Sequence, residues 1–417
     1  MITNRRRWHI SALAAAALIV AGCGGGTTDS PLAKRVVVFG DSLSDIGAYT
    51  VATQIPLGAG QNPGEAPYFG GKFTTNTHTG YACQRDAAGA LVRNPATNQL
   101  ICSNTSNANI WVEWIAARLG VALTPGEVGF GPAANRRKCP AAANPALAGS
   151  CTGYAQGGSR VTSPAGIGNP NGDGINGASP APMTVPMVTQ VADHLAAFTS
   201  FNSDDIVFVF GGNNDVFIQF GLVGAGAIAP EDAGAALQTA ATELATLVKA
   251  EMLAKGATRV VVMTLPDSST TPAFAALPAE NKAFLSSLSA AFNTALLAGL
   301  DGSGARIIDA RALNAAVRAS PSSFGLTNIT TPACNAQIIA GVTGGRVSDG
   351  SSLFCNAAPA ALFTAAGLPS LNAITPGASA STYLFADGVH PTTGGHKIFA
   401  DQVWTQLKNF GWVPENL

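Results

Sequence analysis

Two short blocks at opposite ends of the chain combine the residue types that nucleophilic catalysis needs. Ser42 lies in the block Gly-Asp-Ser-Leu-Ser at 40–44, and Asp387 and His390 lie in the block Asp-Gly-Val-His-Pro at 387–391. A serine hydroxyl is a weak nucleophile at neutral pH and needs a base to take its proton. An imidazole can be that base, and a carboxylate can fix its tautomer and stabilise the imidazolium. The two blocks therefore predict attack on a carbonyl by Ser42, with His390 as base and Asp387 as its orienting acid.

Both blocks also have a structural interpretation, which the local sequence alone leaves open. Serine and aspartate commonly cap helices, so the block at 40–44 can be an ordinary turn between a strand and a helix. Asp387 can likewise be a capping residue beside a surface histidine. The catalytic interpretation is favoured because His78, His194 and His396 have no comparable carboxylate turn around them.

Two glycine-rich turns could supply hydrogen-bond donors to an oxyanion. The block Gly-Gly-Asn-Asn-Asp at 211–215 follows an apolar stretch, so we expect it at the same edge of a sheet as Ser42. An asparagine amide can donate to an oxyanion, and glycines let a substrate come close. The turn Tyr-Ala-Gln-Gly-Gly-Ser-Arg at 154–160 could donate through its backbone N–H groups. Such turns are also common in purely structural roles.

The elements that would position these residues alternate between strand and helix patterns. Short apolar runs predict buried strands at 35–39, 205–210, 258–263 and 306–309, and amphipathic patterns predict helices at 109–119, 187–198, 230–255, 278–300 and 396–410. This alternation predicts a three-layer α/β/α sandwich around a mostly parallel sheet of about five strands. Asp45 is interpreted as an acid that stabilises a helix start. Trp111 and Trp114 are expected in the core rather than in an acyl pocket.

Three long excursions, at 51–105, 124–184 and 313–380, interrupt this pattern, and each contains two cysteines. Loops of this length are uncommon unless they are functional or cross-linked. Proximity along the chain favours the disulfides Cys83–Cys102, Cys139–Cys151 and Cys334–Cys355, although other pairings or free buried thiols are also compatible with the sequence. None of the cysteines has the spacing of a zinc site, so no metal site is predicted.

The N-terminus resembles a bacterial lipoprotein signal. Three arginines at 5–7 precede a short apolar run at 10–21, and Val-Ala-Gly-Cys at 20–23 resembles a lipobox. We therefore expect a signal peptide at 1–22, lipidation of Cys23, a flexible tether at 23–34 and a hydrolase domain at 35–417. The seventh cysteine then has a role, since six remain for pairing. The alternative is an ordinary secretory signal.

These features predict an exported protein of the cell envelope, with periplasmic or secreted protein as the alternative, and argue against nucleic acid as a partner. A lipid on Cys23 would anchor the protein to a membrane, and we expect the outer membrane. An ordinary secretory signal would leave the protein periplasmic or secreted. Without residues 1–22 the chain has 23 − 3 = 20 basic against 24 acidic side chains, a net charge of −4. No basic tract remains that could follow a phosphate backbone.

Four blocks, in this order, resemble the GDSL, or SGNH, hydrolase family, and most closely its exported bacterial lipases, phospholipases and acyltransferases. They are the blocks at 40–44, 154–160, 212–215 and 387–390, and the resemblance spans roughly residues 35–410. It implies an SGNH-hydrolase-like, flavodoxin-like fold that works without a cofactor. It also implies Ser42 as nucleophile, His390 as base, Asp387 as its orienter, and the Ser42 N–H, Gly158 N–H and Asn214 amide as oxyanion donors. Gly153 stands where the family often has Asn, so the glycine donor can differ by one residue.

The expected function is that of a serine carboxylic ester hydrolase, an esterase or lipase that forms an acyl-enzyme on Ser42. Its partner would be a small-molecule or lipid ester. An acyltransferase or a phospholipase would use the same triad. A surface lipoprotein that only binds lipid or carbohydrate is a further alternative, but a binding protein has no need of base, orienter and oxyanion donors together.

Overall fold

The computed structural model describes residues 33–53, 70–77, 81–83, 102–104, 110–361 and 370–415. The predicted signal peptide at 1–22, Cys23 and most of the tether at 23–34 lie outside these residues. The lipid anchor and the export route therefore stay predictions.

Four parallel strands form the central sheet. In spatial order they are β1 (Arg35–Gly40), β2 (Asp205–Phe210), β3 (Val260–Met263) and β4 (Arg306–Ile308). Each of them falls within or beside a stretch that the apolar runs predict. Because the strands are parallel, the connections between them cross over the sheet, and the carboxyl ends of all four strands lie at one edge.

A fifth segment lies beside the outer edge of β1, where the sequence predicts about five strands. Gly153 forms a single parallel bridge with Val38. The Val38 N–H donates to the Thr152 carbonyl at 2.9 Å, and the Tyr154 N–H donates to the Val38 carbonyl at 2.8 Å. Beyond this single bridge, the Gln156 N–H donates to the Gly40 carbonyl at 3.2 Å. The sheet of the described residues thus has four strands and one short extended neighbour.

Helices cover both faces of the sheet. The α-helices of the described residues are α1 (Trp111–Leu119), α2 (Met187–Phe198), α3 (Asn213–Gly224), α4 (Pro230–Leu247), α5 (Ala279–Leu300), α6 (Ala310–Ala319), α7 (Ala336–Val342) and α8 (Thr393–Asn409). One π-helical turn at Val248–Met252 continues α4. Short 3-10 turns lie at Ser42–Ser44, Thr50–Thr53, Ala133–Asn135, Pro140–Ala143, Pro145–Ser150, Leu253–Lys255, Ser268–Thr270, Pro272–Phe274, Pro321–Phe324 and Ser352–Phe354.

Successive residues of the strands belong to two different hydrophobic cores. In β1, Val37 and Phe39 pack with residues of α2, α4 and α5, whereas Val36 and Val38 pack with residues of α1 and α8. This follows from the pleat, which points neighbouring side chains to opposite faces of a sheet. The predicted three-layer α/β/α architecture is therefore confirmed.

Helix α5 is the one described helix that is long and apolar enough, by length and composition, to cross a membrane. In the structure it packs against the sheet through a buried stripe, which comprises Leu285, Leu288, Phe292, Leu296 and Leu300. It lies beside α4 in the same core. This is the packing of a core helix.

Three helices were not among the predicted elements. Helix α3 begins in the Gly-Asn-Asn-Asp block, whose composition indicates a turn. Helix α6 overlaps the start of the predicted excursion at 313–380, and helix α7 lies within it. Each begins at a polar cap: Asp309 accepts the Ala312 N–H at 3.0 Å, and Asn335 accepts the Ile338 N–H at 3.0 Å. These caps satisfy backbone donors that short helices would otherwise leave unpaired.

The excursions contain short antiparallel pairs of strands and two disulfides. The pairs are Tyr81–Cys83 with Cys102–Asn104, Glu127–Gly129 with Arg136–Lys138, and Ile175–Asn176 with Ser179–Pro180. Disulfides join Cys139 to Cys151 and Cys334 to Cys355, as proximity along the chain predicts. The backbone register places Cys83 opposite Cys102. The side chains of these two cysteines lie outside what the structure describes, so the disulfide between them stays a prediction.

Candidate active site

Ser42 lies where β1 ends, on a turn that its neighbours hold rigidly. Gly40 has a φ of 154°, and a Cβ there would lie 2.0 Å from the Phe210 carbonyl oxygen, so only glycine fits between β1 and β2. Gln190 of α2 accepts the Gly40 N–H and donates to the Gly40 carbonyl, each at 2.9 Å. Asp41 caps the 3-10 turn by accepting the Leu43 N–H at 3.1 Å. The chain therefore leaves the sheet in one defined direction, and Ser42 is the first residue of the 3-10 turn that follows.

The structure brings Ser42, His390 and Asp387 into one hydrogen-bonded chain. His390 Nε2 lies 2.8 Å from Ser42 Oγ. On the other side of the ring, His390 Nδ1 lies 2.8 Å from Asp387 Oδ2 and 2.9 Å from Oδ1. A proton on Nδ1 donates to the carboxylate, which leaves the Nε2 lone pair to accept the serine proton.

The turn at 387–390 is formed by the acid itself. Asp387 Oδ1 accepts the backbone N–H groups of Val389 at 2.9 Å and His390 at 2.8 Å. The Ala386 N–H donates to the His390 carbonyl at 2.8 Å, which closes the turn. Four residues thus suffice to place the carboxylate and the imidazole side by side, shortly before α8.

Charge and burial set the proton affinities of this pair. Burial would raise the pKa of Asp387, but the charge and hydrogen bond of His390, with the N–H donors of Ser352 and Val389, outweigh it and lower that pKa below its usual range. Burial would lower the pKa of His390, but Asp387 outweighs it and, with Asp41 and Asp45, raises that pKa. Asp387 therefore stays ionised while His390 titrates.

The predicted oxyanion donors lie on the wall of the same cavity as Ser42 and His390. The Gly157 N–H is occupied, since it donates to Asp45 Oδ2 at 2.9 Å. The Ser42 and Gly158 N–H groups have no acceptor among the described residues. Gly158 has a φ of 79°, which glycine adopts without strain. Of the two glycines that the resemblance leaves open, this geometry favours Gly158 as the donor.

Asn214 holds its amide in place from the start of α3. Its Nδ2 donates to the Ser159 carbonyl at 2.8 Å, and since an amide carries two N–H bonds, one remains for a ligand. Asp215 accepts from Arg160 Nε at 2.8 Å and from the Val161 N–H at 3.1 Å. These contacts join the start of α3 to the turn at 154–160, so the two glycine-rich blocks act as one unit.

Two buried acids lie beside the triad, and one of them corrects a prediction. Asp45 does not stabilise a helix start: it follows the 3-10 turn, is fully buried, and accepts the N–H groups of Gly47, Ala48 and Gly157. Burial raises its pKa to about 6. Burial also raises the pKa of Asp41 to about 6. Asn213 Nδ2 lies 3.4 Å from Asp41 Oδ2, on the side away from Leu43.

A cavity of about 880 Å³ opens beside Ser42 and His390, and its wall is mainly apolar. Aromatic rings from several elements line it, among them Phe73, Phe130, Phe210, Phe217, Phe274 and Phe399. The Phe73 ring packs on the His390 ring, with 4.8 Å between centroids. Trp111 is fully buried in the core, as expected, and also contributes to the cavity wall. Trp114 packs against the same core.

Several contacts of the site have no local signal in the sequence. Ser352, Phe73 and Gln190 lie far along the chain from the residues they contact. The residues that flank them in sequence form no motif that distinguishes them from many other positions. Only the burial of a polar side chain such as Gln190, at 1% exposure, marks it as a structural partner. Among the described residues, no group of three or more His, Cys, Asp or Glu could hold a metal ion.

Comparisons with known proteins bear on the family of the chain. The model of the GDSL-like lipase/acylhydrolase family matches residues 36–403. An uncharacterised protein of the trpE-trpG intergenic region of Pseudomonas putida is 32% identical over 204 residues, which is 48% of this chain and 28% of that protein. The chain thus matches little more than a quarter of the length of that relative.

Proposed function

The chain belongs to the family of GDSL-like lipases and acylhydrolases, and from that premise we propose that it is a serine esterase that forms an acyl-enzyme on Ser42. The observation that carries this proposal is the 2.8 Å contact between Ser42 Oγ and His390 Nε2. Asp387 holds the opposite nitrogen of the same ring. This arrangement gives the hydroxyl a base in contact and gives the base an ionised orienter.

In the first half-reaction, Ser42 Oγ attacks the ester carbonyl carbon while His390 Nε2 takes the hydroxyl proton. The carbonyl oxygen becomes an oxyanion, and the Ser42 N–H, the Gly158 N–H and Asn214 Nδ2 donate to it. The bond to the alcohol then breaks, and His390 returns the proton to the departing alcohol. Ser42 is left as an ester of the acid.

In the second half-reaction, His390 takes a proton from water, whose oxygen attacks the acyl carbon. The oxyanion forms in the same place and collapses, which releases the acid and returns the proton to Ser42. A positioned base contributes roughly 10²- to 10⁴-fold to such a rate, and one oxyanion donor roughly 10²- to 10³-fold.

The apolar cavity beside Ser42 supports an ester with an apolar acyl group as substrate. Its aromatic wall begins next to the nucleophile and would bury methylene groups, each of which contributes about 0.8 kcal/mol. Placement in the cell envelope through a lipid on Cys23 is part of the same proposal and rests on the sequence alone.

Covalent labelling tests the proposal directly. An organophosphonate probe should modify Ser42, and mass spectrometry of the peptide that contains residue 42 should locate the adduct. Ser42→Ala should neither be labelled nor turn over a chromogenic acyl ester, while its melting temperature stays within a few degrees of the parent protein. Turnover by pure Ser42→Ala protein would refute the assignment. A protein that only binds lipid or carbohydrate would show no labelling at all.

A further inference from the structure

The carboxylate of Asp387 is held from two sides. From its own turn, Oδ1 accepts the N–H groups of Val389 and His390. From a separate segment, the backbone N–H of Ser352 donates to Oδ2 at 2.8 Å. His390 Nδ1 lies 2.8 Å from this same oxygen. The Ser352 amide therefore fixes the position of an oxygen that orients the imidazole.

A disulfide ties the Ser352 amide to the chain next to Asp387. Ser352 begins the 3-10 turn Ser352–Phe354, and its carbonyl accepts the Cys355 N–H at 3.0 Å. Cys355 is bonded to Cys334. The Cys334 N–H in turn donates at 2.9 Å to the carbonyl of Ala386, the residue that precedes Asp387. A closed ring of covalent and hydrogen bonds thus runs from one side of Asp387 to the other.

Asn76 also holds the turn Ser352–Phe354 in place. Its Nδ2 lies 3.1 Å from the Ser352 carbonyl and 3.2 Å from the Cys355 carbonyl, and its backbone N–H donates to the Cys355 carbonyl at 2.8 Å. Asn76, Ser352 and Cys355 are all fully buried. A buried donor with this many restraints is preorganised, so it needs no rearrangement when charge develops on the imidazole.

We propose that the Cys334–Cys355 disulfide and the turn it holds are a positioning element for the Asp387 carboxylate, acting through the Ser352 N–H. This rests on the proposed function of Ser42, His390 and Asp387. The excursion at 313–380, which contributes residues such as Val347 and Phe354 to the cavity wall, then has a second role. It supplies a hydrogen bond that completes the environment of the acid, and full activity requires the oxidised disulfide.

Replacing Ser352 by proline removes the N–H that Asp387 Oδ2 accepts and puts the ring Cδ in its place, so the carboxylate loses its donor and has to move. Proline lacks the N–H, and the first position of a helical turn accepts its fixed φ. Ser351, with φ −50° and ψ 126°, has a ψ that suits the residue before proline. Ser352→Ala is the matched reference, because it removes the hydroxyl and keeps the amide. On a soluble chromogenic ester, kcat of Ser352→Pro should be roughly 10- to 100-fold below that of Ser352→Ala, as expected for losing a hydrogen bond to a charged group, with KM within about twofold.

A double-mutant cycle separates positioning from a general structural effect. If the amide acts through the carboxylate, the ratio between the proline and alanine variants should fall to about one in an Asp387→Ala background. A turn that matters only for folding would cost the same in both backgrounds. Equal kcat values for the two Ser352 variants, or an undiminished ratio without Asp387, would overturn the inference.

The disulfide is tested by a second pair of variants, which also decides the matter should the proline variant not fold. Cys334→Ala/Cys355→Ala should lose at least about tenfold in kcat, whereas Cys139→Ala/Cys151→Ala should stay within about twofold of the parent. Equal kcat in the two double variants would overturn the role of the disulfide. Turnover by Ser42→Ala would instead refute the proposed function itself, so the two failures are distinguishable.

Discussion

The backbone N–H of Gly157 donates to the carboxylate of Asp45 across 2.9 Å. Asp45 belongs to the loop that carries Ser42, and Gly157 belongs to the turn that carries Gly158. One buried carboxylate therefore joins the nucleophile loop to the second glycine-rich turn. The Gly157 amide is occupied in this way, whereas the Gly158 amide has no acceptor among the described residues.

Replacing Asp45 by asparagine should therefore lower catalysis. Asparagine puts an NH₂ group where one carboxylate oxygen accepts an N–H, so either the Gly157 bond or the bonds to Gly47 and Ala48 must be lost. We expect kcat/KM to fall roughly 10- to 100-fold, the loss expected for a hydrogen bond to a charged group. Steady-state kinetics on a chromogenic ester measure it, with the exposed Asp301→Asn as control. A variant that keeps parental kcat/KM would show that this link does not position the oxyanion donors.

The pH dependence of kcat/KM should report the raised pKa of His390. The imidazole acts as a base only when neutral, so activity should fall as the pH drops through its pKa, on the acid side of the profile. Asp387 raises that pKa, so the midpoint should lie above the ordinary histidine value of about 6.5. Asp387→Ala should lower kcat roughly 10³- to 10⁴-fold and move the midpoint of the residual activity downward. An acid limb that does not move on removal of Asp387 would contradict this coupling.

His194 should make the protein less stable in mild acid. Its ring stacks on Phe201 at 4.3 Å and on Phe198 at 5.0 Å, and burial, with the charge of Arg35, lowers its pKa to about 4. Between about pH 6.5 and 4 the unfolded chain binds a proton there that the folded protein does not, so the free energy of unfolding falls as the pH falls through this window. His194→Phe should raise the melting temperature at pH 5 relative to the parent more than it does at pH 8.

Asp41 and Asp45 also make the stability of the protein depend on pH, so the effect of residue 194 is read from the difference between parent and variant at each pH. Asp41 and Asp45 have folded pKa values of about 6, so they bind protons more readily in the folded state and act in the opposite direction. These acids are common to the parent and the variant, so the difference between the two melting curves isolates residue 194. An equal change of melting temperature at both pH values would rule out this role for its protonation.

Acyl-chain length should change catalysis through the apolar cavity. Each buried methylene contributes about 0.8 kcal/mol, so kcat/KM should rise about fourfold per carbon until the cavity is filled. Val317 is 4% exposed and lines the cavity, so Val317→Phe should reduce its volume. We expect this variant to lose more kcat/KM with decanoyl than with acetyl esters, and the exposed Val188→Phe to affect neither. Equal losses for both esters would place the acyl chain elsewhere.

Cys23 should decide where the protein resides. If its thiol carries a lipid, Cys23→Ala should move the protein from the membrane fraction to the soluble fraction, because the acyl chains provide the attachment. Mass spectrometry of the mature N-terminal peptide should show the added lipid mass in the parent alone. An unmodified N-terminus in the parent would instead indicate an ordinary secretory signal.

The chain by itself predicts which residues would carry the chemistry, and it determined the elements that hold them. Short blocks single out Ser42 and the Asp387–His390 pair as candidates, because a nucleophile loop and an acid–base turn are each built from residues close together in sequence. The strands were predicted because continuous apolar runs are what a sheet buried on both faces requires. The helix α3 was missed because its first residues also suit a turn.

Only the tertiary structure decided what surrounds these residues. That the Gly157 N–H is occupied, while the Gly158 N–H has no acceptor among the described residues, follows from Asp45, and that Asp387 receives a donor from Ser352 follows from a disulfide-linked excursion. Such contacts join residues far apart in the chain through backbone amides, which every residue except proline has. Because nearly every residue type has a backbone N–H, the sequence does not show which N–H donates to a given acceptor. Only the folded structure identifies the pair.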